Sequence, residues 1–540
     1  MENRNLLITG ASIWTGNPER PFAEALLMEG DTFKAVGSTE EVHSIPGAKE
    51  ALRFDAEGVS VVPGMTDAHL HLTALSRQKT ALSLHGTRSR EHLLELVRQH
   101  AANVGPNDWI YGVGFDNSRW PDGRLPTMEE LDGLGIPNPV LLLRVCAHMH
   151  VVNSRALEVA GLSADMSGPG VHRNGMGKMT GTLLEDAAKP VVEAMKKTMY
   201  EGKAEEEALR QTMARLAAEG ITAVNACSAA SYGLEENIKA YRSLAARGAL
   251  PLRVRLYSDE DIEGWEKSGD GDDWLSYGGR KFFLDGSLGG RTAAMSFPYV
   301  DEPSTRGILN MDDETLRRKL AVTHQKGIQA QIHAIGDAAI DQFIGALESL
   351  ENLGPLQVGL SHRLIHAQIC RPDQMDRLAR LGAVCDIQPV FVPSDIHIAE
   401  PRIGKKRLTW AYAWKSMLEK GLLLTASSDA PVEPTNPWRG IWAAVERTDD
   451  DMKPQGGWLP RQKLTIEEAL TLYTINPWRA VRKEHRFGSI EKGKSADFAV
   501  LDRDIFSTPA HELRKVRPIM TFVGGKLSHG DLSDWEKVPF

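Results

Sequence analysis

The segment Gly64-Met-Thr-Asp-Ala-His-Leu-His71 sets two imidazoles at i and i+2, just after a β-branched run that ends at Pro63. In extended backbone, side chains two apart leave the same face, so His69 and His71 can reach one metal ion together. Two neutral imidazoles are half of a tetrahedral zinc shell. Three more polar residues end apolar runs later in the chain. His333 closes Gly327-Ile-Gln-Ala-Gln-Ile-His333, His366 closes Arg363-Leu-Ile-His366, and Asp429 closes Thr425-Ala-Ser-Ser-Asp429 ahead of Pro431. A period of two puts His333 in phase with Gln329 and Gln331, and groups His362, Leu364 and His366 on one face. Singly, each has an ordinary reading as a hydrogen-bonded core histidine or a turn cap. Together they make a shell of four imidazoles and one carboxylate without thiolate, the donor set of a catalytic Zn²⁺ or similar divalent ion.

A shell drawn from such distant positions needs a scaffold that gathers several strand ends. Eight short apolar runs alternate with segments of helical period: Val61–Thr66, Ile221–Cys227, Leu252–Tyr257, Lys281–Leu284, Ile328–His333, Arg363–His366, Ala383–Ile387 and Leu422–Ser427. This pattern predicts an α/β fold, a closed (β/α)8 TIM-type barrel whose active site lies at the C-terminal ends of its strands. Glu205–Glu219, Asp313–Gln325 and Ile466–Thr474 carry apolar residues at helical spacing and belong to the outer ring. Residues 1–60 and 485–540 read as short strands, two halves of one composite β-sandwich domain. The gap of about 150 residues between the first two barrel strands is too long for one loop. It predicts a subdomain inserted at 76–190 over the barrel mouth, in which the glycine-rich stretch 168–181 reads as mobile loop. The expected domains are thus 1–60, a barrel over 61–484 and 485–540.

Composition narrows the function. Among 540 residues, 42% are hydrophobic and 25% charged, with a net charge of -9 and no basic run, which argues against nucleic acid as a partner. The apolar run Leu6–Ile8 is too short for a signal-peptide core and no later stretch would span a bilayer, so a cytoplasmic protein without membrane contact is expected. Cys146, Cys227, Cys370 and Cys385 lie far apart and read as reduced core residues. The expected partner is a small-molecule substrate, with a homodimer as the candidate assembly.

The chain resembles the amidohydrolase superfamily, and within it the amidohydrolase-3, YtcJ-like branch that includes N-substituted formamide deformylases. The resemblance rests on Gly64–His71, on His148 with Val152–Leu157, on Lys281-Phe-Phe-Leu-Asp-Gly-Ser-Leu-Gly-Gly-Arg-Thr-Ala293, and on His333-Ala-Ile-Gly-Asp337. His366-Ala-Gln368, Ser428-Asp-Ala-Pro431 and Gly488–Asp497 extend it over nearly the whole length. It implies that His69, His71 and Asp429 hold one ion and His333 and His366 a second, both Zn²⁺ or else Mn²⁺, Co²⁺ or Fe²⁺. Lys281, in phase with Phe283 and Asp285, would then project toward the metals. An ammonium about 4 Å from a divalent ion is repelled by roughly 8 kcal/mol at an effective dielectric near 20. The family's solution is carboxylation by CO2, which makes the lysine an anionic bridge. Pairing with Asp285 or Glu185 is the ordinary alternative, and Glu185 is the reserve bridge. One departure is Ile365, where the branch often has Glu beside the ligand that His366 matches.

What the resemblance implies is hydrolysis of an amide or formamide C–N bond by metal-activated water. Asp429 moves the proton, and His148 and Arg291 are candidates to support the oxyanion. An esterase or lactonase reading shares the same chemistry. A mononuclear aminohydrolase would usually carry Glu three residues after the strand-five histidine, where this chain has Gly336. A barrel kept only for assembly would be expected to have lost ligands, and all six positions are present.

Overall fold

The computed structural model describes residues 5–144, 149–200, 202–228, 233–355 and 359–531, the side chains of 78–80, 119 and 185 excepted. The chain forms two compact units, Met1–Thr73 with Arg210–Phe540, and Ala74–Leu209.

The first unit contains the barrel. Its strands are β1 (Met65–Leu70), β2 (Ile221–Ser228), β3 (Arg253–Ser258), β4 (Leu275–Phe283), β5 (Gln329–Ala334), β6 (Arg363–His366), β7 (Val384–Ile387) and β8 (Leu423–Ala426). Each pairs in parallel with its neighbour in sequence. No ladder joins β8 to β1 among the described residues, but the Asp429 amide donates to the His69 carbonyl at 2.9 Å and the His71 amide to that of Ala430 at 2.7 Å. The ring therefore meets at its C-terminal end. Helices Asp313–Gln325, Asp337–Glu348, Pro372–Arg380 and Ile466–Tyr473 accompany the barrel. Ala330, Ile332, Leu364 and Leu424 from the strands share one apolar core with Leu316, Leu320, Ile340 and Ile344 from the helices. Full burial of each Leu or Ile contributes about 1.5–3 kcal/mol.

The opposite phase of the strands is polar. Cross-strand register sets Lys281 beside Gln331 and Gln331 beside Arg363. Arg363, wholly buried, donates to both oxygens of the equally buried Asp386 and to the Tyr257 hydroxyl, which itself donates to Gln329 at 2.7 Å. Removing one partner of such a pair would leave an uncompensated charge, at a cost of about 3–5 kcal/mol.

The two chain ends build one composite sheet, in the order Lys526–His529, Pro518–Val523, Phe498–Leu501, Ser60–Pro63, Leu6–Trp14, Phe22–Glu29 and Thr32–Gly37, with Leu52–Asp55 beside Leu6–Trp14. Alternation sends Ile8, Leu26, Phe33, Val61, Phe498 and Phe522 into one apolar cluster and Leu7, Ala25, Leu27 and Val42 into another. Ser38 and Glu41 form a capping box on the helix Thr39–His43.

The run Val61–Thr66 is not one barrel strand. Ser60–Pro63 pairs with Phe498–Val500 in the composite sheet, and the barrel strand starts at Met65. Pro63 offers no amide, and a Cβ at Gly64 would lie 2.3 Å from the Thr222 side chain, so the chain changes sheets at the one residue that can pass there.

The second unit has a six-stranded sheet ordered Val171–Arg173, Met179–Leu184, Met149–Val152, Val140–Arg144, Ile110–Phe115 and Leu82–Ser83. Leu93 and Val97 of the helix Arg90–Ala101 share an apolar cluster with Ile110, Val140 and Leu142. The stretch 168–181, expected as loop, turns into this sheet. Met179–Leu184 with Thr180 and Thr182 pairs to both Val171–Arg173 and Met149–Val151, as β-branched residues favour.

Candidate metal centre

β1 delivers His69 and, one residue past its end, His71, while the turn after β8 delivers Asp429. One ligand atom from each lies within 4.8 Å of the other two. Asp429 Oδ1 stands 3.3 Å from His69 Nε2 and 3.4 Å from His71 Nε2. That oxygen is buried and forms no hydrogen bond among the described residues, nor do Nδ1 of His69 and His71. A buried carboxylate oxygen without a donor is costly. Two imidazole nitrogens and one such oxygen, converging on one point, are a donor set that fits a zinc-like divalent ion.

β4 brings Lys281 from across the lumen, with Nζ 3.2 Å from His69 Nε2 and 4.9 Å from the Phe283 ring centre. Lys281 is 1% exposed. An ammonium and a metal ion cannot both use that His69 nitrogen, since the lone pair serves only one of them. Burial also pushes the amine below its ordinary pKa.

β5 and β6 deliver a second pair of imidazoles. His333 Nδ1 and His366 Nε2 are 2.9 Å apart, and the His366 ring centre lies 6.3 Å from that of His69. The periodic grouping of His366 with His362 and Leu364 does not survive. His362 meets His324 of the helix layer at 3.1 Å and Leu364 enters the outer core, while Arg363 occupies the lumen phase. His366 reaches the mouth because its backbone turns left-handed, at φ 79°, and Ala367 continues the turn at 46°. Asp429 is likewise left-handed at φ 57°. Backbone strain of this kind costs about 1–3 kcal/mol per residue and concentrates at functional sites.

Protonation reflects the surroundings. Burial pushes His69 down to about 3, with the Lys281 charge adding to it, so His69 is neutral and able to ligate. Burial opposes charge on His71 too, but Asp429 and Cys227 outweigh it and raise its pKa to about 9. Burial and the adjoining His333 hold His366 well below its usual value. For Asp429, burial opposes ionisation, yet His69 and His71 hold the carboxyl well below the ordinary range.

Supporting contacts went unread in the sequence. Gln388, at the end of β7, accepts from His366 Nδ1 at 2.7 Å and donates to Ser427, the support that Ile365 cannot give. Asp67, two residues before His69 and on its face, accepts from the Ser428 hydroxyl and from the amides of Ser428 and His69, locking β1 to the β8 turn. The alternation Asp67, His69, His71 was the available signal. Asp285 does not pair with Lys281. It accepts from the amides of Ala294, Ile335 and Gly336 and lies 3.4 Å from His333 Nε2. Gln331 lies wholly buried beside Lys281 in register, with neither side-chain polar atom hydrogen-bonded among the described residues.

Two other expectations fall elsewhere. Arg291 donates to Asp301 at 3.0 and 3.2 Å in a surface loop, and none of its hydrogen bonds goes to the imidazoles. His148 and the side chain of Glu185 lie outside the described residues. Cys227, Cys370 and Cys385 are free and buried, and Cys146 is not described.

Residues 53–529 match the profile described as the amidohydrolase family. The protein YtcJ of Bacillus subtilis (strain 168) is 33% identical over 96% of this chain and 98% of its own. The N-substituted formamide deformylase of Arthrobacter pascens is 30% identical over 97% of this chain and 98% of its own. Among solved structures, an uncharacterized metal-dependent hydrolase from Pyrococcus furiosus has a TM-score of 0.76 and 29% identity, covering 93% of this chain and 99% of that one.

Proposed function

Because the chain belongs to the amidohydrolase family, and is a hydrolase on that ground, we propose that it cleaves a non-peptide C–N bond in a small amide or formamide. The observation that carries the reading is the convergence of His69, His71 and Asp429 on a buried carboxylate oxygen that no donor among the described residues satisfies. The formamide deformylase relative supports the substrate class, since it matches this chain almost end to end.

In this reading His69, His71 and Asp429 would hold one divalent ion and His333 and His366 a second, with Lys281, as a carbamate, supplying a further anionic ligand. Zn²⁺ suits the nitrogen and oxygen donors, with Mn²⁺, Co²⁺ or Fe²⁺ as substitutes. When bound, the metal supplies Lewis acidity and lowers the pKa of water toward neutrality. Asp429, ionised between two imidazoles, accepts a proton from the attacking water and returns it to the leaving nitrogen. Gln388 keeps the His366 ring oriented, and Asp67 does the same for the β1 and β8 ends. Arg291 would join the oxyanion only by giving up Asp301.

An aminohydrolase reading is disfavoured at Gly336. A Cβ there would lie 1.9 Å from the Ala294 carbonyl oxygen, so no acidic side chain fits at the position such enzymes use. The test is a panel of N-substituted formamides, amides, esters and aminoheterocycles, assayed before and after chelation and after Zn²⁺, Mn²⁺ or Co²⁺ is restored. Amine release that needs metal is the expected result. Full activity in metal-free protein, or turnover of esters alone, would overturn the proposal.

A further inference from the structure

We infer that the floor of the barrel, at the end opposite Asp429, is an anion site that takes one halide-sized ion on Arg255. A cavity of about 20 Å³ lies there, lined among others by Thr66, Asn225, Arg253, Arg255, Asp273 and Lys483. Cross-strand register stacks the lining in layers, Ala223 beside Arg253 and Asn225 beside Arg255. A volume of that size is enough to admit a water-sized particle.

The cations that line the cavity differ in their partners. Arg253 meets Asp497 at 2.8 and 3.0 Å and Ser495 at 2.9 Å. Lys483 meets Asp273 at 3.1 Å, and the same carboxylate serves Arg486 at 2.9 Å. Arg255, only 7% exposed, has no hydrogen-bond acceptor and no ion-pair partner among the described residues. The Thr66 hydroxyl in the same lining is buried and also without a partner among them. Arg363, farther up the lumen, shows the usual solution, a bidentate carboxylate.

The charge count has the same sign. Arg253, Arg255, Lys483 and Arg486 face Asp272, Asp273 and Asp497, an excess of one cation, and Asp272 is turned toward the amides of Trp274 and Leu275. A guanidinium cannot shed its proton, so burial leaves it to be neutralised or hydrated. A chloride or bromide supplies the missing charge, accepts from Arg255 and the Thr66 hydroxyl, and fits the volume. A cation would add to the excess. At the floor, away from the strand ends that carry the imidazoles, the ion stabilises the barrel and takes no part in the reaction.

The experiment compares thermal unfolding of the full chain in sodium chloride, bromide and gluconate at equal ionic strength, with bromide-soaked crystals measured at the bromine edge. A saturable rise in Tm with chloride, reproduced by bromide and absent with gluconate, is expected. So is an anomalous peak within about 3.5 Å of the Arg255 guanidinium. Arg255→Gln should remove both. Equal Tm in all three salts with no peak would show that the cavity holds water only. Halide dependence that persists in Arg255→Gln would move the site elsewhere. Should that variant fail to fold, the wild-type peak and salt comparison decide alone.

Discussion

The backbone amide of Asp429 donates to the carbonyl of His69 at 2.9 Å, so two of the residues that converge on one candidate ion are also the stitch that joins β8 to β1. Closure of the ring and assembly of the site are the same contact. A side-chain substitution at either residue leaves that stitch in place, and this makes the site open to mutation without loss of the barrel.

Asp429→Asn keeps an oxygen facing His69 and His71 but cannot accept a proton. Turnover should fall by on the order of 10²-fold or more while metal content, measured by mass spectrometry of the elements, changes little. His69→Ala should lose metal and rate together. Near-normal turnover in Asp429→Asn would reduce that residue to a ligand.

Lys281 should carry about 44 Da of added mass under native conditions, lost in acid, because burial favours the neutral amine, the form that attacks CO2 and loses a proton to give the carbamate. Lys281→Ala should be inactive and poor in metal, with acetate or propionate restoring part of both. A variant that keeps its metals and its turnover without added carboxylate would place the bridge elsewhere, with Glu185 next to be replaced.

Gln388→Leu removes the acceptor that fixes His366 Nδ1 at 2.7 Å. Loss of such a partner costs roughly 10- to 100-fold in metal affinity or activity. Competition with a chelating dye measures the affinity, and circular dichroism checks the fold. Unchanged affinity together with unchanged kcat would mean that the ring is oriented by other contacts.

Asp395 offers a pH signature outside the proposed ligand set. Burial pushes its carboxyl up to about 6, against the Tyr412 and Gln368 donors that favour the charge. A carboxyl whose folded pKa is raised contributes stability below the unfolded value near 4, and loses it as pH climbs through 6. The unfolding free energy of the wild type, from urea titrations, should therefore fall between pH 4 and 8 relative to Asp395→Asn, by roughly 2 kcal/mol after allowance for partial exposure. Parallel pH profiles for the two proteins would contradict this.

What the sequence disclosed tracks the range of the forces involved. A period of two is set along one strand, so the inward aim of His333 and Lys281 was legible, as were seven of the eight barrel runs and the end of the first. His366 was misphased because its left-handed backbone is set by the turn at the end of β6 rather than by the period. Gln388 and Asp67 act across the sheet, on neighbours that only the closed barrel supplies. Asp285 stands four residues from a lysine in the chain, yet the amides of Ala294 in its own loop and of Ile335 and Gly336 after β5 claim it. Pro63-Gly64 lies inside the expected strand Val61–Thr66, whereas the crowding of Thr222 makes it a passage between two sheets.

The placing of Ser60–Pro63 between Leu6–Trp14 and Phe498–Leu501 bears on how the chain is made. On a ribosome, the residues leading into the first two imidazoles wait beside an open edge until nearly the whole polypeptide has emerged. Long-range β pairing is slow and leaves unpaired edges exposed. The composite sheet that leads into the first barrel strand is thus among the last regions whose neighbours exist, and a chain halted before Phe498 would present an aggregation-prone edge along Ser60–Pro63.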